Sequence, residues 1–218
     1  LEPLASSEAI LTEDEKEVGI ILADIGGGTT DIAVFKDGSI WHTSILPVAG
    51  YQVTRDVAIG LGLPFDVAEE MKKRYGSVMP VYESKLETPS TISQDGHGVS
   101  YQDLCDILRA RMEEVIRLIL LEMPRSEYET LVPGGLVLTG GSANLSGIDA
   151  LGRDILRLPV RVGIPTGISG ITDALRDPAY ATSVGLLLWG AKHKGVQTWK
   201  PRRFSVRHFF SQIRNLFR

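Results

Sequence analysis

Acidic residues stop at Asp177 in this 218-residue chain. Beyond it stand eight of the 23 lysines and arginines. Residues 1–177 therefore hold 15 basic against all 27 acidic residues, and a tail of charge +8 closes a chain whose net charge is −4. Such segregation predicts a tail that meets a polyanion. Cysteine is almost missing: Cys105 alone excludes an internal disulfide and fits a reducing compartment. Its helical register with Leu104, Ile107 and Leu108 reads as a core thiol rather than a nucleophile. The histidines at 42, 97, 193 and 208 lack metal-ligand spacing, so no metal-binding histidine is assigned. No apolar run approaches the roughly 18 residues of a membrane span, and no secretory leader pattern opens the chain. There is no internal repeat. The first residue is Leu1 rather than Met, inside a predicted helix from Leu4 to Leu11, so the chain is expected to be the C-terminal part of something longer.

What is present is an apolar content of 43%, enough for one large domain or two small ones. Val18-Gly19-Ile20-Ile21-Leu22-Ala23 runs into Asp24-Ile25-Gly26-Gly27-Gly28-Thr29-Thr30-Asp31, followed by Ile32-Ala33-Val34-Phe35. Two buried strands thus flank a turn of three glycines. Without Cβ atoms, the backbone turns tightly and brings its N–H groups against an oxyanion. Thr29 and Thr30 add hydroxyl donors, while Asp24 and Asp31 have the oxygen chemistry to hold a hydrated divalent metal. The plainer alternative is a β-hairpin, but a hairpin has no need of two acids and two threonines around its glycines. The pattern points to phosphate binding.

The remaining elements follow from periodicity and punctuation. Strands are predicted at about 18–24, 31–36 and 39–46, with a hairpin turn at Lys36-Asp37-Gly38-Ser39. Helices are predicted from Gly50 through Leu61 and from Pro64 to Tyr75, then a long one over about 101–123 that stops before Pro124. Residues 77–100 read as short strands of a small subdomain. Leu136-Val137-Leu138-Thr139 is a buried strand entering a second glycine loop, Gly140-Gly141-Ser142-Ala143-Asn144. A helix (Ile148 to Leu156), a strand (160–162), a helix from Pro178 to about Lys192 and a linker at 195–203 complete the order.

In the tail, about 100° per residue places Val206, Phe209, Phe210, Ile213, Leu216 and Phe217 within an arc of about 120°. Arg207, Arg214 and Arg218 sit beside that arc. Such a helix lies in a bilayer interface, with phenylalanines at the acyl boundary and arginines on anionic headgroups. A terminal helix docked on its own core is the alternative. Nucleic acid is disfavoured, because three phenylalanines on one stripe suit lipid better than base stacking.

The loop at 24–31 resembles the second phosphate loop of the actin/Hsp70/sugar-kinase superfamily, and residues 137–143 resemble its adenosine loop. Leu1-Glu2-Pro3-Leu4-Ala5-Ser6-Ser7, Val53-Thr54-Arg55-Asp56-Val57-Ala58, Ala68-Glu69-Glu70-Met71-Lys72-Lys73-Arg74-Tyr75-Gly76 and Asp177-Pro178-Ala179-Tyr180-Ala181-Thr182-Ser183-Val184-Gly185 resemble the FtsA family, the bacterial actin homologues of cell division. The resemblance covers the whole chain, as the second half of such a protein, and departs from the family at Ala49-Gly50, where two glycines are frequent. It implies an α/β, actin-like (RNase H-like) ATPase half. Residues 17–76 and 132–194 would form subdomain 2A after the end of a preceding subdomain at 1–16. Residues 77–131 would form subdomain 2B, and 204–218 an amphipathic membrane-targeting helix.

The resemblance further implies ATP with Mg²⁺. Gly26, Gly27 and Gly28 would face the phosphates, with Thr29 and Thr30 assisting, and Asp24 would hold the hydrated metal. Glu69 and Lys72 would reach ribose and adenine, although by spacing alone they also read as a solvated helical pair. Gly140, Gly141 and Ser142 would line the base. Arg111 and Glu114 match positions used for the C-terminal peptide of the tubulin homologue FtsZ. The implied protein forms filaments, anchors FtsZ to the cytoplasmic face of the membrane at the septum and recruits later divisome proteins, with weak or secondary ATP hydrolysis. The rivals are a sugar or acetate kinase and an Hsp70-type ATPase, neither of which has use for a basic amphipathic tail.

Overall fold

A computed structural model describes residues 2–79, 90–123, 132–168 and 173–193. In chain order its elements are α1 (Glu2–Ile10), α2 (Glu13–Val18), β1 (Ile20–Ile25), β2 (Thr30–Lys36), β3 (Ser39–Leu46), α3 (Gly50–Leu61), α4 (Phe65–Tyr75), β4 (Thr91–Gln94), β5 (His97–Ser100) and α5 (Tyr101–Leu121). These are followed by β6 (Leu136–Thr139), α6 (Ile148–Leu156), β7 (Val160–Val162) and α7 (Ala181–Lys192). Three short 3₁₀ turns, at Gly141–Asn144, Asp173–Leu175 and Pro178–Tyr180, lie among the last of them.

Five strands form one sheet in the order β3-β2-β1-β6-β7. The first three are antiparallel. The turn between β2 and β3 uses Asp37 and Gly38, both at positive φ (51° and 71°), as a two-residue hairpin turn requires. β6 runs parallel to β1, with Leu22 opposite Val137 and Asp24 opposite Thr139, and β7 runs parallel to β6 beyond it.

Side-chain alternation divides the sheet into two cores. Ile20 and Leu22 of β1, with Ala33 and Phe35 of β2, pack with Ala9 and Ile10 of α1 and with Ala181 and Val184 of α7. Ile21, Ala23 and Ile25 face the other way, with Val53 of α3, Met71 of α4, Leu108 and Met112 of α5, and Leu151 of α6. Both faces of β1 and β2 are therefore buried, which explains why these strands are nearly unbroken apolar runs. Burial of each large apolar side chain contributes about 1.5–3 kcal/mol. Cys105 is buried, as expected of a core thiol.

The predicted elements recur with shifts of a few residues. β1 begins at Ile20 rather than 18 because Glu13–Val18 forms a helix of its own. Thr12 and Glu15 close a capping box at its start, and Gly19 at φ 106° ends it. The last helix opens with the 3₁₀ turn Pro178–Tyr180, where the Asp177 carboxylate accepts the Ala179 N–H at 2.8 Å. Ser100 caps α5 by accepting the Asp103 N–H at 3.2 Å. The hairpin β4–β5 supplies the short strands expected in 77–100. Among the described residues no helix is long and apolar enough to cross a membrane. The predicted linker at 195–203 and the amphipathic helix at 204–218 lie outside the described residues.

Candidate functional site

Because β1 and β6 are parallel neighbours, the glycine turns that follow them emerge side by side at one end of the sheet. The first turn closes on itself, the Gly26 N–H donating to the Thr29 carbonyl at 3.0 Å. Its carbonyls are held from below. Gly50 N–H donates to Gly26 at 3.0 Å, Tyr51 N–H donates to Gly27 at 2.7 Å, and the Ser142 hydroxyl donates to Gly26 at 3.3 Å. The start of α3 and the second loop thus clamp the first. Gly50 leaves room for this packing, since a Cβ there would crowd Ser142 Oγ at 3.0 Å and the Gly26 carbonyl at 3.1 Å.

At Gly27 and Gly28, by contrast, an added Cβ would meet nothing within 4 Å. Among the described residues, the N–H groups of these two glycines bond no other protein group. This is a backbone surface open to an anion. Of the two threonines only Thr30 is turned into the fold, donating its hydroxyl to the Val48 carbonyl at 2.7 Å, while Thr29 stays exposed and donates to Asp31 at 2.9 Å.

In the second loop, Gly140 takes φ 83° and donates its N–H to the Pro178 carbonyl at 3.2 Å. Asp24 lies beneath it, nine-tenths buried, with Oδ1 only 2.5 Å from where a Gly140 Cβ would stand. Asp24 Oδ2 accepts hydroxyl hydrogen bonds from Ser6 of α1 at 2.6 Å and Thr182 of α7 at 3.0 Å. Asp31 lines a separate cavity of about 450 Å³ with Leu4 and Ile45.

Glu69 and Lys72 are not a solvated pair. The Lys72 ammonium, 12% exposed, donates to Glu69 at 2.7 Å, to the Thr54 hydroxyl at 2.8 Å and to the Gly50 carbonyl at 3.3 Å. Thr54 also donates to Glu69. Partial burial opposes ionisation of Glu69, yet the Lys72 and Thr54 hydrogen bonds and the Lys72 charge outweigh it, holding the carboxyl below its usual range. Charge and helix position therefore tie α4 to the loop-bearing start of α3.

One cavity of about 470 Å³ gathers the turn 26–28, Glu69, Lys72, Gly141 and Ser142. Its size suits a ligand of cofactor dimensions. Asp24, Thr29, Thr30 and Gly140 do not belong to this lining. The cavity also takes Gly50, Tyr51, Phe65 and Lys73, which sequence reasoning did not assign. The Tyr51 and Phe65 rings sit 5.2 Å apart on its rim, each more than two-fifths exposed. Only their exposure reveals them, because in sequence each reads as an ordinary apolar position of an amphipathic helix.

Arg111 lies apart from this cavity, on α5. Its guanidinium donates to Asp56 of α3 and to Glu114, each at 2.5 Å. Asp56 before all else, and then Glu114, raise its pKa above the ordinary arginine value. The residues assigned to the membrane, Val206, Arg207, Phe209, Phe210, Ile213, Arg214, Leu216 and Phe217, lie outside the described residues.

The family model described as "Cell division protein FtsA" matches residues 21–185. The FtsA protein of Pseudomonas aeruginosa is 46% identical over 193 residues, covering 87% of this chain and 46% of its own length. Those of Escherichia coli and Bacillus subtilis are 38% and 37% identical, covering 86% and 90% of this chain and 47% and 44% of themselves. The chain thus spans about half the length of these relatives. Among solved structures, MreB5 of Spiroplasma citri bound to ADP superimposes with a TM-score of 0.68 at 20% identity, over 88% of this chain and 59% of that one. The MamK double helical filament gives 0.59 at 20% identity, over 87% and 58%. The fold is accordingly actin-like. With a family match over most of its length and relatives as similar as these, the chain belongs to the FtsA family of cell division proteins.

Proposed function

We propose that this chain is the nucleotide-binding second half of a filament-forming actin homologue that anchors the FtsZ ring to the membrane during cell division. The convergence of both glycine loops with Glu69 and Lys72 on one cavity carries the reading. A phosphate group fits the open N–H groups of Gly27 and Gly28, where any side chain would fill the space. Glu69 and Lys72 are anchored firmly enough to orient a ribose, and the backbone of Gly141 and Ser142, with Gly140 setting the turn before them, suits the face of a purine. Asp24 is the carboxylate for a hydrated Mg²⁺, which when bound would neutralise charge on the phosphates. The MreB5 structures bound to ADP and AMPPNP, and the MamK filament, support nucleotide binding and self-assembly on this fold.

Residues 77–131 act in this reading as subdomain 2B, with Arg111 and Glu114 meeting the FtsZ C-terminal peptide, and 204–218 as the helix that rests on anionic lipid. The protein then works at the cytoplasmic face of the septal membrane, where it recruits later divisome proteins and takes no nucleic acid. A phosphotransferase would need a catalytic base at the cavity. The one carboxylate among the described residues of its lining is Glu69, kept ionised by Lys72 and Thr54 and so a poor proton acceptor. Titration of the full natural protein with a fluorescent ATP analogue and Mg²⁺ tests the reading. Gly27→Val should remove measurable binding while leaving the fold intact, and unchanged affinity would refute the site.

A further inference from the structure

The two helices on the α1/α7 face of the sheet cross at an unusually close point. A Cβ at Gly185 of α7 would stand 1.7 Å from the Ala5 carbonyl oxygen of α1, so only glycine admits the contact. Immediately beside that crossing, Ser6 and Thr182 reach the same carboxylate oxygen of Asp24, at 2.6 and 3.0 Å, and lie 2.9 Å from each other. Ser6 is fully buried. Each hydroxyl has a single proton to donate. Ser6 also has the Glu2 carbonyl of its own helix at 3.2 Å, but Asp24 at 2.6 Å is the shorter and charged acceptor. With both protons directed at Oδ2, that oxygen is engaged, while Oδ1 is left toward Gly140 at the base of the second glycine loop.

From this we infer that Ser6 and Thr182 are positioning residues. They orient the Asp24 carboxylate so that one oxygen stays available to the metal hydrate that accompanies a bound nucleotide. The inference rests on the nucleotide reading above. Neither hydroxyl touches the ligand cavity. Their effect on a ligand passes through Asp24, in the manner of outer partners that fix a metal-binding carboxylate. The arrangement also draws its two donors from two different helices, so the carboxylate is correctly aimed only when α1 and α7 are seated at the Gly185 crossing.

The test measures affinity for an ATP analogue twice in the full natural protein, once with Mg²⁺ and once with EDTA, for wild type, Ser6→Ala, Thr182→Val and Thr182→Ser. Thr182 is only partly buried, so valine there is accommodated and this variant carries the test even if Ser6→Ala folds poorly. The expected result is a loss of about 10- to 100-fold in the Mg²⁺-dependent gain for Thr182→Val and Ser6→Ala. The EDTA affinity should be unchanged, and the gain retained in Thr182→Ser. Equal losses with and without Mg²⁺ would mean a merely structural role and overturn the inference. So would an undiminished gain in Thr182→Val. A wild-type protein that binds no nucleotide in either condition would instead refute the nucleotide reading itself.

Discussion

Replacing Gly140 by alanine separates a glycine required by the fold from one required by a ligand. Its φ of 83° with ψ of 170° is a combination essentially reserved for glycine and costs an L-residue at least about 1–2 kcal/mol. The new methyl would also stand 2.5 Å from Asp24 Oδ1, 2.6 Å from the Ile25 carbonyl oxygen and 2.7 Å from the Ile25 carbonyl carbon. Two of those three atoms are backbone at the end of a central strand and cannot turn aside, and overpacking of this kind costs about 1–3 kcal/mol. Gly140→Ala should therefore lose on the order of 2–5 kcal/mol, a large share of the roughly 5–15 kcal/mol that holds a domain together. Gly27→Ala is the control. No atom lies within 4 Å of its Cβ and its backbone is outside the left-handed region, so its stability should change by no more than about 1 kcal/mol. Urea unfolding of the 218-residue chain reads both, with the slope expected to be common to all variants. Coincident midpoints for the two variants would refute the packing argument.

Other expectations follow from the ion pairs and the tail. Arg111→Glu should weaken binding of an FtsZ C-terminal peptide in a fluorescence titration, and it sets a third carboxylate beside Asp56 and Glu114. Equal binding by wild type and variant would remove Arg111 from the contact. Glu8 is held below its usual 4.5 first by the Lys192 hydrogen bond, against a smaller opposing effect of burial, and then by Lys16. Glu15 is lowered too, although burial opposes it most, by Thr12 and Arg161. Such groups stabilise the fold fully above 4.5, and the contribution is lost as pH falls through their lower folded values. Urea midpoints should accordingly drop below pH 4.5, and drop less in Glu8→Gln. Deleting residues 204–218 should abolish co-sedimentation with anionic vesicles, and Phe210→Glu should do nearly the same. Each arginine near such a surface contributes about 1 kcal/mol, so added salt should reduce binding by the full chain without erasing it.

Most of the sheet was legible because its strands are buried on both faces and leave continuous apolar runs between glycines. The helix at Glu13–Val18 was overlooked even though Thr12 and Glu15 carry a capping-box spacing, since its interior offers hardly any apolar residue to mark a period. The site was legible where chemistry is local, in the turn 26–28 and the pair Gly141 and Ser142. It was illegible where a role depends on distant contacts. Ser6 and Thr182 are two hydroxyls at opposite ends of the chain, and nothing near either one announces Asp24. The anchoring of Lys72 on the Gly50 carbonyl likewise needs α3 and α4 to be packed before it exists.

The pairing of Asp24 with Thr139 across parallel neighbours has a consequence for how the protein comes into being. The antiparallel strands β1, β2 and β3 need only short turns and can zip locally. β6 must return to β1 after all of α3, α4, the β4–β5 hairpin and α5 have been traversed. Non-local pairing of that kind slows folding, because the ends of a long loop must meet before any contact rewards them. The entropic cost itself grows weakly, by only about 0.6 kcal/mol per doubling of the loop. The loops joining the elements between β3 and β6 can thus lengthen at little thermodynamic cost while the two glycine turns keep their places. During synthesis, the cavity between the two glycine turns becomes whole only after β6 and the turn that follows it have left the ribosome.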